Sequence, residues 1–298
     1  MEQKCYFVNS RGLLKSCRFH SLNQNSSCNN DTNYLIQMLN SGKMIDGMSI
    51  YVCSDLLLFF IDKILSNIHN KFVLVSGDSD LTVPKEALTP QHFAILINNS
   101  YLLKWFVQNT RLNDHAKICQ LPIGMDYHTI SNKHDHNWKI DGEGFLPGQQ
   151  ELVLVEIREK MIPFHERINK IYVNFSMNND RFEERRKAFE QIPADLMEIK
   201  QEFLKRTHNW QNISQHTFVL SPCGNGLDCH RTWEALCLGS IPIIKCGFFS
   251  QMFQDLPVLI VNEWTDITRE LLDKTIEEFK NCEFNYNKLA LGYWTKKF

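Results

Sequence analysis

Four short stretches of this 298-residue chain carry side chains at spacings suited to chemistry. The apolar run "FVLVSGDSD", from Phe72, delivers two carboxylates, Asp78 and Asp80, at its exit. "LPIGMDYH" ends on Asp126 and His128. "FVLSPCGNGLDCHRTWEAL", from Phe218, places Ser221, Gly224, Asn225 and Gly226 in a turn and then sets Arg231 and Glu234 on one helix face. "RFEERRK" adds Arg181 and Arg185. A carboxylate or imidazole at a strand exit can take a proton from a hydroxyl. A glycine turn opening a helix offers N–H groups to an anion, and an arginine one turn in can pair bidentately with a diphosphate. A carboxylate one turn deeper can accept from a ribose diol. Each group also has an ordinary alternative. Aspartates in turns cap their own backbone, Arg231 and Glu234 can form an exposed ion pair, and "RFEERRK" can be a solvated helix face. His115, His134 and His136 fit surface loops.

Positioning these residues needs strands that end along one edge. Apolar runs predict strands at Tyr6–Val8, Ser49–Cys53, Phe72–Ser76, Phe93–Ile97 and Ile118–Leu121, with a helix over Asp55–Ile68. Ser131–Gln150 is polar and aperiodic, a candidate linker. Beyond it the pattern predicts a helix over Glu151–Arg167, a strand at Lys170–Phe175, and helices over Asp180–Gln191 and Asp195–Thr207. A strand at Phe218–Leu220 leads to a helix capped by Asp228 and closed by Gly239. Strands from Ile241 and at Pro257–Val261 and a helix over Thr265–Lys280 complete the chain. This alternation predicts an α/β protein with two Rossmann-like parallel-sheet domains, over 1–140 and 150–298, facing one another across a cleft.

Composition narrows the function classes. Hydrophobic residues at 43% against 22% charged describe a globular chain. A formal net charge of -2 supplies no basic field for duplex nucleic acid. The longest apolar run, "LLLFFI" from Leu56, is too short to span a bilayer, and the first residues lack a signal-peptide core. Ten cysteines without a Cys-x-x-Cys pair fit reduced thiols, so a soluble, cytoplasmic protein is expected.

The segment "FVLSPCGNGLDCHRTWEALCLGSIPII" resembles the nucleotide-sugar-binding segment of the exostosin-like glycosyltransferases: a strand, Ser/Cys-Pro-x-Gly, a short loop, Arg-x-x-Glu-Ala-Leu, then Ile/Val-Pro. "FVLVSGDSDLTVP" and "KICQLPIGMDYHT" resemble the Gly-x-x-Asp loop and "LPxGxDxH" segment of the small soluble members. The resemblance implies a GT-B architecture, with the donor on the C-terminal domain and a glycan or glycoprotein acceptor on the N-terminal one. It implies an inverting transfer from a nucleoside diphosphate sugar to an acceptor hydroxyl, without a required cofactor. UDP is the family-level expectation, and UDP-xylose or another UDP-pentose or uronate resembles neighbouring members. Ser221, Gly224, Asn225 and Gly226 would cradle the diphosphate, Arg231 would neutralise it and Glu234 would hold the ribose. Cys223 stands where many relatives place an arginine, so the missing charge is expected from Arg231, with Arg181 and Arg185 behind it. For the base, Asp80 ranks first and Asp78 second, followed by Asp126 and His128. Two other readings stay open. "DSD" also fits a GT-A transferase whose Asp78 and Asp80 hold a divalent metal, and a cleft of this kind can belong to a non-catalytic nucleotide-sugar-binding module.

Overall fold

The computed structural model describes residues 1–22, 31–112, 114–133, 135–139, 144–200, 204–247 and 249–298; His134 lies outside them. Among the described residues nine strands form two sheets in which every pairing is parallel. The first contains β1 (Met48–Cys53), β2 (Phe72–Gly77), β3 (Leu102–Val107) and β4 (Ile118–Gln120), side by side in chain order. The second contains β5 (Ile168–Val173), β6 (Met197–Ile199), β7 (His216–Leu220), β8 (Ile241–Lys245) and β9 (Leu259–Val261), in the order β6-β5-β7-β8-β9. β2 and β7 are buried throughout, which is why they appear in the sequence as unbroken apolar runs. The mixed α/β architecture with two parallel sheets is therefore as expected.

Several elements differ from the sequence reading. Phe93–Ile97 is not a strand but the end of a helix, Pro90–Ile97, started by the Thr89 side chain accepting from the His92 N–H and by Pro90 in the first turn. The strand is the next apolar run, Leu102–Val107. A short apolar run fits helix or strand equally, and the Thr-Pro start signal decides between them. Asp195–Thr207 is not one helix: Met197–Ile199 forms the edge strand β6, and the helix begins at Arg206 and runs to Gln215. Tyr6–Val8 joins neither sheet; the Val8 N–H donates to the Leu289 carbonyl and the Leu291 N–H to that of Tyr6. Within the expected linker, a helix starts at Pro147, and Gln150 is buried with its amide donating to the Tyr127 and Phe145 carbonyls. Asp228 does not cap its helix, which spans His230–Cys237. Gly239 does close it, at φ +69°.

One apolar cluster joins the two halves. Phe7, Leu13, Val75, Phe106 and Tyr127 belong to the same buried group as Tyr172, Trp210, Trp233, Leu291 and Trp294. Two further clusters each fill one half, around Phe60, Phe72 and Trp105 and around Phe218, Ile243 and Trp264. The described cysteines are free thiols. No helix among the described residues is long and apolar enough to cross a membrane.

The N-terminal segment docks where Gly124, at φ +68°, lets the Met125 N–H reach the Val8 carbonyl at 2.7 Å. A Cβ on Gly124 would stand 2.3 Å from that carbonyl oxygen. Gly124→Ala should therefore lower the unfolding free energy by about 1–3 kcal/mol, the range for backbone held in a region that side chains avoid. Urea denaturation followed by tryptophan fluorescence reads the change; an unmoved midpoint would show that the docked segment contributes nothing.

Candidate functional site

In the second sheet the chain leaves β5 for β6 on one side and returns to β7 on the other. Loops that diverge in this way open a crevice at the carboxyl ends of the strands. A cleft of about 670 Å³ lies there, bordered by Asn174, Phe175 and Ser176 after β5 and by Gly224, Asn225, Gly226 and Asp228 after β7. Its opposite wall comes from strand exits of the first sheet: Asp78, Ser79 and Asp80 after β2, Gln108 after β3, and Ile123, Asp126 and His128 after β4. The structure thus brings Asp78, Asp80, Asp126, His128, Gly224, Asn225, Gly226, Arg185, Arg231 and Glu234 to one cavity.

Two expected residues stand apart from it. Ser221 packs its hydroxyl against Thr232 at 2.7 Å, and its N–H donates to the Ile243 carbonyl at 2.9 Å, so neither group is left for a phosphate. Arg181 spans the rim, where it pairs with Glu86 and donates to the Asp80 carbonyl at 3.1 Å.

The glycine loop works differently from the expected cradle. Asn109, at φ +53°, accepts from the N–H groups of Leu227 and Asp228 at 3.0 and 3.1 Å through one oxygen, and its nitrogen donates to the Ser79 carbonyl at 2.8 Å. A Cβ on Gly226 would meet that carboxamide at 3.0 Å, so this glycine admits Asn109. Gly224 has the same relation to Arg185, whose Nη2 would lie 2.5 Å from a Cβ there. Cys223 supplies no charge; burial pushes its thiol up to about 12.

Positive charge comes from two guanidinium groups. Arg185 is 6% exposed and donates to the Ser176 carbonyl at 2.6 Å; its Nε is buried without a partner. Arg231 has a buried, unpartnered Nη1. Both stack on the ring of Phe175, with guanidinium carbons 5.4 and 4.9 Å from its centre. Burial, reinforced by the like charge of Arg185, lowers Arg231 to about 10, which leaves it cationic at neutral pH. Arg181 and Arg206 each have a carboxylate partner; among the described residues Arg185 and Arg231 have none. Glu234 does not pair with Arg231 but accepts from the Trp210 indole at 3.0 Å. The exposed ion-pair reading of Arg231 and Glu234 therefore fails.

The titratable groups of the facing wall are mostly engaged. Asp78 forms a buried ion pair with Arg11 at 2.8 Å, and burial still lifts its carboxyl to about 6. Asp126 pairs with Arg206 at 3.0 Å; burial opposes its ionisation, but His128, Arg206 and His230 outweigh it and hold the carboxyl well below the usual range. His128 has Nδ1 3.2 Å from Asp126 Oδ1, and burial pushes the imidazole down to about 4. Asp80 is exposed at the rim. His230 borders the cleft with its Nδ1 2.6 Å from the Gly124 carbonyl. Asp228 accepts from the Ile123 N–H at 2.7 Å and from the Trp233 indole at 2.9 and 3.1 Å. No cluster of three or more His, Cys, Asp or Glu side chains suited to a metal occurs among the described residues.

Sequence reasoning missed Arg11, Gln108, Asn109, Phe175, Arg206 and His230. Gln108 and Asn109, which follow directly on β3, are hidden because the apolar pattern places that strand one run too early. Arg206 falls at the end of the expected Asp195–Thr207 helix, whereas it opens the helix Arg206–Gln215. No family model and no curated protein matches the chain.

Asp228 makes a pH prediction. Burial raises its carboxyl to about 7, while an unfolded aspartate titrates near 3.9. The folded chain binds the extra proton between these values, so its support for folding is complete below about pH 4 and is lost as pH rises through about 7. Asp228→Asn should flatten that part of the stability profile in urea titrations between pH 4 and 8. An unchanged slope would mean that Asp228 titrates normally in the fold.

Proposed function

We propose that this chain is an inverting glycosyltransferase of GT-B type, related to the exostosin-like enzymes, moving a sugar from a nucleoside diphosphate sugar to a hydroxyl of a glycan. The observation that carries the reading is the pair of guanidinium groups, Arg185 and Arg231, at the divergence between β5 and β7, each with a buried nitrogen that lacks a partner and neither with a carboxylate partner among the described residues. A buried cation, Arg185, and a half-buried one, Arg231, without carboxylate partners are costly to hold there and call for an anion. Their stacking on one phenylalanine holds them at neighbouring points, as two linked phosphates require. Arg185, lying against Gly224, supplies the charge that Cys223 lacks.

The chemistry follows from this placement. The sugar donor lies with its diphosphate on Arg185 and Arg231 and its ribose toward Glu234, which faces the cleft one turn deeper in the helix. Charge that develops on the leaving diphosphate is neutralised by groups already in position. The acceptor approaches from the wall formed by the first sheet, opposite the leaving group, as inversion requires. UDP is the nucleotide of choice on the sequence resemblance, and the soluble, cytoplasmic setting is part of the same proposal.

Calorimetry with UDP and a panel of nucleotides tests the donor site. Arg231→Ala and Arg185→Ala should each weaken UDP binding roughly tenfold to a hundredfold, the worth of a hydrogen bond to a charged group. Arg231→Lys should recover little, because an ammonium cannot reproduce the planar fork or its stacking. UDP affinity equal to wild type in both alanine variants would end the phosphate assignment. Release of UDP only when donor and acceptor are both present separates a transferase from a binding module. Turnover that survives a strong chelator supports this mechanism over one in which Asp78 and Asp80 hold a metal.

A further inference from the structure

Several groups in the cleft could take the acceptor proton, and their surroundings separate them. Asp78 is paired with Arg11, and Asp126 with Arg206. Both Asp228 oxygens accept from Trp233, and one also accepts from Ile123. The buried His128 imidazole, pushed down to about 4, is too weak a base to be matched to neutral pH. Asp80 lies exposed at the rim, its carbonyl held by Arg181.

His230 is different. It is the first residue of the His230–Cys237 helix and borders the cleft. Its Nδ1 lies 2.6 Å from the carbonyl oxygen of Gly124. A carbonyl oxygen only accepts, so in the neutral ring Nδ1 carries the proton and Nε2 carries the lone pair. The backbone of the opposite wall thereby fixes both the tautomer and the ring plane, the service a carboxylate performs in a catalytic triad. Residue 231, the diphosphate arginine, comes next in the helix. Successive helical residues project about 100° apart, so one helix can aim a cation at the leaving group and a base away from it.

We propose that His230 is the general base of the transfer, accepting the acceptor proton at Nε2. This rests on the glycosyltransferase reading above. The acceptor oxygen forms a bond to the anomeric carbon as its O–H bond breaks, and the proton passes to Nε2. The bond from the anomeric carbon to the diphosphate breaks with its electron pair leaving on the diphosphate, which Arg185 and Arg231 neutralise. The imidazolium then releases its proton to solvent.

The test uses the full chain with UDP-sugar donors and a glycan acceptor. His230→Ala and His230→Asn are compared with wild type for UDP affinity and for turnover, with and without added imidazole. The asparagine can still donate to the Gly124 carbonyl but has no basic nitrogen. Both variants should bind UDP within about twofold of wild type and lose roughly a hundredfold to ten-thousandfold in turnover, and imidazole should restore part of the loss in His230→Ala. Near wild-type turnover in His230→Asn would reduce His230 to a structural tie and overturn the assignment. So would a loss in His230→Ala that imidazole leaves unchanged. A wild-type chain that binds no nucleoside diphosphate overturns the function and the base together, whereas wild-type transfer with undiminished His230→Asn overturns the base alone.

Discussion

A single carboxamide, that of Asn109, meets both walls of the cleft. Its oxygen takes two N–H groups from the loop after β7, and its nitrogen reaches the turn after β2. Buried backbone groups must find partners, and here the partner of one half is a side chain of the other. The left-handed backbone at Asn109, the bare Cα of Gly226 and the close approach of the two loops are aspects of one arrangement. Asp228 on the Ile123 amide, His230 on the Gly124 carbonyl and Arg206 on Asp126 repeat the pattern around the cleft. The relative position of the walls, and so every distance across the site, follows from these ties.

Within that frame, charge is distributed unevenly. The wall from the first sheet buries its acids with arginine partners, Asp78 with Arg11 and Asp126 with Arg206. On the wall from the second sheet Arg206 is taken up by Asp126 across the cleft, while Arg185 and Arg231 have no carboxylate partner among the described residues. Breaking a buried pair is costly, so the first wall reads as structure. Leaving buried cations unpaired is also costly, and such local departures from good packing chemistry concentrate where a ligand completes them. Phe175 moderates the cost by presenting its ring face to both guanidinium groups.

The sequence made the parallel α/β architecture legible because β2 and β7 are buried on both faces and read as continuous apolar runs. It also exposed the turn and helix that carry Arg231 and Glu234. What it hid had local causes. "HFAILI" and "LLKWFV" are both apolar and lie close together, and periodicity cannot say which is the strand; only Thr89 and Pro90 mark the first as a helix. With β3 misplaced, Asn109 became an unremarkable loop residue. What Gly226 approaches is hidden for a related reason. A glycine announces close approach without naming what approaches, and here the neighbour is a side chain more than one hundred residues away in sequence. Ion pairs such as Arg11 with Asp78 leave no periodic trace at all.

The ties across the cleft also bear on how affinity is shared with folding. In proteins whose halves hinge, apparent affinity is reduced by the fraction of molecules in the open form, and ligand binding must supply the closure. Here the walls are joined by hydrogen bonds within the chain itself, so the ordering of the site is tied to the folding of the chain. Affinity and global stability then draw on the same hydrogen bonds. Weakening the carboxamide of Asn109 would loosen the fold and widen the site in one step, and any ligand held between the walls would in turn stabilise the junction between the halves more than either sheet.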